Sequence, residues 1–268
     1  VDSTIRLGIF TELADMPLSI RPIGTNKAFS LKGFNTNYIV AGSDGKFLFD
    51  CGATAPIALD KLGISITEFQ HVYLSHLHLD HVGGLIQLGL TRFNSGLDKV
   101  HLYCHEELAS KIWPKFLESF MGRALGRDGV PERFTAEDFF EIHPLLTAGD
   151  FPQTTISGVN CSLVRSEHPA MSDCYGLVIN DKVYITSDTV FRPEVLESVA
   201  NHFPLEAIFH HCTYNDALAG MHATVTQLRS LPEDLRQLII LSHYDDHMLG
   251  KTDPVFEIAE AGKIYSYS

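Results

Sequence analysis

Long apolar runs are missing from this chain: no window of its 268 residues approaches the roughly 18 consecutive apolar positions that a membrane-spanning helix needs. Residues 1–10 have no basic start followed by an apolar stretch, so a secretory signal is not expected there. Cysteine is sparse, and the five present (Cys51, Cys104, Cys161, Cys174 and Cys212) are scattered, odd in number and without a C-x-x-C spacing. This pattern argues against a disulfide framework or a thiolate zinc site; it reads as small buried apolar residues and fits a reducing cytoplasm. Basic residues are in deficit, with 20 Lys and Arg against 33 Asp and Glu, a net charge of −13. A protein that grips a long nucleic acid neutralises many phosphates with its own cations, so that role is disfavoured. A small anionic substrate stays open, because bound divalent cations would add positive charge locally. No heptad pattern, low-complexity tract or repeat period is present, which removes coiled coils and solenoids.

What the chain does have is ordinary globular composition, 45% apolar and 20% charged, and enough length for a buried core, here expected as one domain over 1–268. Short apolar runs at 19–24, 37–41, 46–49, 70–74 and 99–104 read as strands, with Gly42 to Gly45 as a hairpin turn. Helices are expected from Ala55 to Leu62, ended by Gly63, after Gly83-Gly84 to about Leu90, and over 106–121 with Pro114 limiting or kinking it. Residues 123–138, rich in glycine and charge, read as a loop or lid. In the second half 162–166, 174–180, 182–186, 205–209 and 237–241 are strand-like, Asn180-Asp181 makes a tight turn, and helices follow Pro193 and begin near Ala223. Strand-rich halves interleaved with helices imply an α/β fold in which two packed sheets are covered outside by helices, a four-layer αββα sandwich.

Fourteen histidines is a high number, and their positions are informative. Residues 75–84 read SHLHLDHVGG, directly after an apolar strand. Alternation puts His76 and His78 on one side of an extended segment, and Asp80 and His81 approach after a turn. Imidazole nitrogen and carboxylate oxygen are suitable ligands for zinc or similar cations, so this run can seed two adjacent metal sites. Further ligands are expected at other strand ends: His168 after 162–166, Asp188 after 182–186 and His243 after 237–241. His71, His101, His143, His202 and His247 read as surface or strand-flanking residues. His105, His210 and His211 lie near the expected rim without an assigned role.

On these residues the chain resembles the metallo-β-lactamase superfamily over nearly its whole length. The resemblance implies that His76, His78 and His168 bind a first metal, that Asp80, His81 and His243 bind a second, and that Asp188 bridges them. Histidine at position 78, where the diiron redox branch carries Glu, favours hydrolysis. Thr213 and His222, with the Ser187-Asp188-Thr189 segment, are similar to the ribonuclease Z-like phosphodiesterase branch; His211 stands where that branch has Glu. On this resemblance His222 is a catalytic, non-ligand histidine that protonates the leaving alkoxide, and Asp80 also orients the nucleophile. Transfer-RNA processing is disfavoured, since those enzymes insert a long basic arm where Asp188 here follows His168 by only 20 positions. A small phosphodiester such as a cyclic nucleotide is the expected substrate, as for bacterial and phage cyclic-nucleotide phosphodiesterases, the anti-Pycsar enzymes among them.

The implied reaction uses a hydroxide held between two divalent cations, zinc fitting best, with manganese or iron as alternatives. A homodimer is what the resemblance implies. Lactone, ester or thioester hydrolysis uses the same ligand set, and a non-catalytic sensor binding a ligand in the metal pocket is the reading from another class. Substrate choice is expected to lie in the loops 26–37 and 123–138.

Overall fold

The computed structural model describes residues 17–169 and 171–268, so the expectation for residues 1–10 lies outside them. The first half carries strands β1 (Leu18–Gly24), β2 (Asn37–Ala41), β3 (Lys46–Phe49), β4 (His71–Tyr73) and β5 (Val100–His105). A small hairpin of β6 (Arg123–Leu125) and β7 (Pro131–Arg133) follows, and then β8 (Phe140–Leu145). The second half carries β9 (Gln153–Ile156), β10 (Val159–His168), β11 (Met171–Ile179), β12 (Val183–Ile185), β13 (Ala207–His211), β14 (Ile239–Ser242) and β15 (Glu257–Ile258). The last strand, β16 (Tyr265–Tyr267), returns to the first sheet, whose order is β16-β1-β2-β3-β4-β5-β8; the second runs β15-β14-β13-β12-β11-β10-β9.

Adjacent side chains of one strand enter different cores, which creates the layering. Phe47 and Phe49 of β3 pack between the sheets with Leu163, Leu177 and Phe209. Leu48 points the other way, against Leu59, Leu85 and Leu108 of the helices Ala55–Lys61, Leu85–Asn94 and Glu106–Ile112. In the second sheet Val183 and Ile185 face the inter-sheet core, whereas Tyr184 meets Leu196 and Leu235 of the helices Pro193–His202 and Glu233–Leu238. The result is the expected helix–sheet–sheet–helix sandwich. Burial on both faces explains why its strands are apolar runs rather than clean polar–apolar alternations.

Each sheet changes from antiparallel to parallel pairing part-way: β3-β4-β5-β8 are parallel in the first, and β12-β13-β14-β15 in the second. Parallel strands place all their C-terminal ends on one rim, where sites in α/β proteins are assembled. Asp50 follows β3, the histidine run follows β4, Asp188 follows β12 and His243 follows β14.

Several local expectations need correction. Residues 123–138 are not a free loop: they form the β6–β7 hairpin and a helical turn, Ala136–Phe139, anchored by Phe134 and Phe139 against Phe93 on the outer side of the first sheet. Surface charge there masked the aromatic anchors. Gln237 and Leu238 end a helix that starts after Pro232 with Glu233 and Asp234 in its first turn, and the strand begins only at Ile239. The helix after Gly84 runs on to Asn94. At Pro114 the next helix widens into a π turn, Trp113–Leu117, which accommodates a residue without an N–H.

Candidate metal centre

Asp50 organises the first half of the site. Buried at the end of β3 with a positive φ of 62°, its carboxylate accepts from the Ser75 backbone N–H (2.8 Å), the Ser75 hydroxyl (2.8 Å) and His81 Nδ1 (2.7 Å). It thereby fixes the loop before His76 and the ring of His81 together. The single helical turn Leu79–Val82, which carries Asp80 and His81, is held to residues 51–53 by backbone bonds from Cys51 to His81 (2.8 Å) and from Ala53 to Leu79 (3.1 Å). This contact requires glycine, since a Cβ on Gly52 would stand 1.8 Å from the Asp80 carbonyl oxygen. Gly52→Ala is therefore expected to push the turn outward and destabilise the fold by about 1–3 kcal/mol. Thermal denaturation measures it, and an unchanged midpoint would mean that this backbone yields freely.

All seven residues selected as ligands come together. Donor atoms of His76, His78, His168 and Asp188 lie within 4.8 Å of one another, as do those of Asp80, His81 and His243. His78 Nδ1 is 3.0 Å from His76 Nε2 and 3.4 Å from His168 Nε2. Asp80 Oδ2 is 3.3 Å from His81 Nε2. Asp188 stands between the groups, 4.0 Å from His76, 3.9 Å from His168, 3.7 Å from His81 and 3.6 Å from His243. His222 reaches the same carboxylate at 3.9 Å, its ring 5.3 Å from those of His168 and His243.

The orientation of the rings fits a cation. His81 donates its Nδ1–H to Asp50, His76 has Nδ1 on the Ser75 hydroxyl (3.0 Å), and His168 has Nδ1 on the Met221 carbonyl (3.3 Å). Each of the three turns its Nε2 inward, the arrangement by which outer hydrogen bonds orient metal-binding imidazoles. Buried His81 Nε2 and His211 Nε2 have no hydrogen-bond partner, which is costly unless something else satisfies them. Nitrogen and carboxylate donors together suit a divalent transition-metal cation.

Electrostatics agree. Burial drives the His76 imidazole far below its ordinary pKa and His243 down to about 3, leaving both with free lone pairs. Burial opposes ionisation of Asp80, yet His81 and His243 overcome it and hold the carboxyl at about 2; Asp188 is likewise held well below the usual range. His81 is the exception: burial lowers it, but Asp80, Asp50 and Asp188 outweigh burial and raise it well above normal. A proton among three carboxylates thus occupies the place where a cation is favoured.

Two participants escaped the sequence reading. Asp50 directly follows the apolar run 46–49, the same signal that singled out His168, Asp188 and His243. His211, left at the rim without a role, donates from Nδ1 to Asp188 at 2.6 Å and stacks on His243 with centroids 4.9 Å apart. His211 also belongs to a third donor group with Asp188 and His243. A cavity of about 590 Å³ opens beside His168, lined by Arg165, Glu167, Met171 and Arg192.

Two packed sheets with such a histidine–aspartate cluster on one rim define a metallo-β-lactamase fold protein. The metallo-β-lactamase fold protein YhfI from Bacillus subtilis superposes with a TM-score of 0.70 at 16% identity, covering 94% of this chain and 100% of its own. A diphosphatase of the PhnP family superposes with a TM-score of 0.71 at 14% identity, covering 94% and 98%. Within that fold, the chain belongs to the anti-Pycsar protein Apyc1 family, whose sequence model matches residues 18–265. Similar members are the anti-Pycsar protein Apyc1 of Paenibacillus sp. (strain J14), 34% identical over 87% of this chain and 91% of that one, and that of Paenibacillus xerothermodurans, 31% identical over 94% and 99%. The Bacillus phage vB_BveM-Goe7 protein of the same name is 29% identical over 90% and 95%.

Proposed function

We propose that the chain is a metal-dependent phosphodiesterase that opens or cleaves a small phosphodiester, a cyclic nucleotide in the first instance. The observation that carries this reading is the convergence of six imidazoles and two carboxylates on one buried point, with a further histidine, His222, at its partly exposed side (14% exposed). In this reading His76, His78 and His168 hold one cation, Asp80, His81 and His243 hold a second, and Asp188 serves both. Zinc suits the donors best. Bound there, the cations supply the positive charge that activates water near neutral pH and screens phosphate oxygens.

The side chains themselves bind, orient and move protons. Asp80 orients the attacking water. His222, 3.9 Å from Asp188 and beside His168, hands a proton to the departing ribose oxygen. Burial, with a smaller contribution from Lys27, which is ion-paired to Asp245 and bonded to Thr213 at 2.7 Å each, holds His222 below its ordinary pKa, so that its protonated ring gives up a proton readily. The reading also takes the chain, from its length, as one domain and, from its scattered cysteines, as cytoplasmic, and the resemblance implies a homodimer.

Hydrolysis of a 3′,5′-cyclic nucleotide and of bis-p-nitrophenyl phosphate by the zinc-loaded protein, compared with a lactone and a thioester, tests it. His222→Ala is expected to lower phosphodiester turnover by about 10²–10⁴-fold with bound zinc unchanged, the range for a lost general acid. Turnover of the lactone or thioester alone, insensitive to His222, would replace this reading with carbonyl hydrolysis. No turnover of any of them, with tight cyclic-nucleotide binding, would make the protein a sensor.

A further inference from the structure

A second histidine cluster lies at the other end of the parallel strands from the centre. Strand register aligns His71 of β4 with His101 of β5, and His101 with Glu141 of β8; Tyr103 aligns with His143. All five side chains therefore project from one face, the face that Tyr73 and Leu145, two residues further along, bury between the sheets. The sequence reading took His71, His101 and His143 as surface or strand-flanking residues, and the register joins them. Their rings form a stack: His71 on His101 with centroids 4.8 Å apart, His101 on His143 at 5.2 Å, and Tyr103 on His143 at 4.6 Å.

Three donors in this stack converge. His101 Nδ1 and His143 Nε2 are 2.9 Å apart, Glu141 Oε2 is 3.5 Å from the first and Glu141 Oε1 is 3.6 Å from the second. Ligand atoms about 2.0–2.1 Å from one tetrahedral cation stand about 3.3 Å from each other, so these separations already approximate a coordination triangle. Burial lowers the His143 imidazole below its ordinary pKa, which leaves it neutral and able to ligate. The Glu141 carboxylate is more than half exposed, so a fourth position faces water.

We propose that His101, Glu141 and His143 form a separate site for a divalent transition-metal cation such as zinc, distinct from the buried centre. Its occupant ties β8, the edge strand of the first sheet, to β5. Imidazole pairs with one carboxylate favour zinc, nickel or copper over magnesium and calcium.

The test is a Zn²⁺ titration of protein whose buried centre is already filled, by equilibrium dialysis and elemental analysis, on wild type and on His101→Ala/His143→Ala. Wild type is expected to take up one more Zn²⁺ per chain than the double variant and to gain thermal stability with it, while both keep the same turnover. Glu141→Gln, at an exposed carboxylate, is expected to weaken that uptake and serves if the double variant misfolds. Magnesium in place of zinc is expected to give no uptake at this site. Equal stoichiometry in wild type and both variants, or an anomalous peak for the additional zinc lying anywhere other than between His101 and His143, overturns the proposal.

Discussion

Asp188→Asn is expected to lower turnover at least roughly a thousandfold, toward the upper range for deleting one preorganised electrostatic group, and to release bound metal while the fold persists. The carboxylate lies within 4.0 Å of nitrogen atoms on His76, His81, His168, His211, His222 and His243, so its charge serves the whole cluster. Asparagine has nearly the same shape and still accepts a hydrogen bond from His211, which separates lost charge from lost packing. Elemental analysis of the desalted variant, together with circular dichroism, measures both effects. A variant that retains its metal and its activity would remove Asp188 from the centre, and the proposed chemistry with it.

Asp50→Ala acts differently. Its carboxylate is fully buried and satisfies the Ser75 N–H, the Ser75 hydroxyl and His81 Nδ1, which belong to residues that are themselves fully buried. Breaking a buried charged pair and leaving its partners unpaired costs about 3–5 kcal/mol. The same change frees the His81 ring, so metal affinity is expected to fall about 10–100-fold, as for other outer partners of ligating histidines. Urea denaturation and chelator competition read the two consequences separately. Wild-type stability in Asp50→Ala would mean that the Ser75 and His81 donors find other acceptors.

Much of the centre was legible because its members obey a local rule: a polar residue with ligating chemistry at or within a few positions of the end of a strand. His76 to His81, His168, Asp188 and His243 all satisfy it, and all meet at one rim. Asp50 satisfies it too and was passed over, since a lone aspartate after a strand resembles any turn residue. His211 was obscured for another reason. It ends β13 beside a second histidine, His210, and nothing local indicates which of the two rings turns toward Asp188 and stacks on His243. The hairpin β6–β7 was missed because exposed charge outnumbers its few anchoring aromatics.

Composition and apolar periodicity were sufficient to determine the layers of this protein, because burial on one or both faces of an element leaves its mark on each neighbouring residue. The order of ligands along the chain was likewise written locally, at strand ends. Only the tertiary structure decided which histidines became neighbours. Parallel register brings His71, His101 and His143 into one stack, and the packing of two sheets places Asp188 beside the run after β4. Such pairings join segments tens to hundreds of residues apart, and their energy resides in contacts that no single stretch of sequence contains.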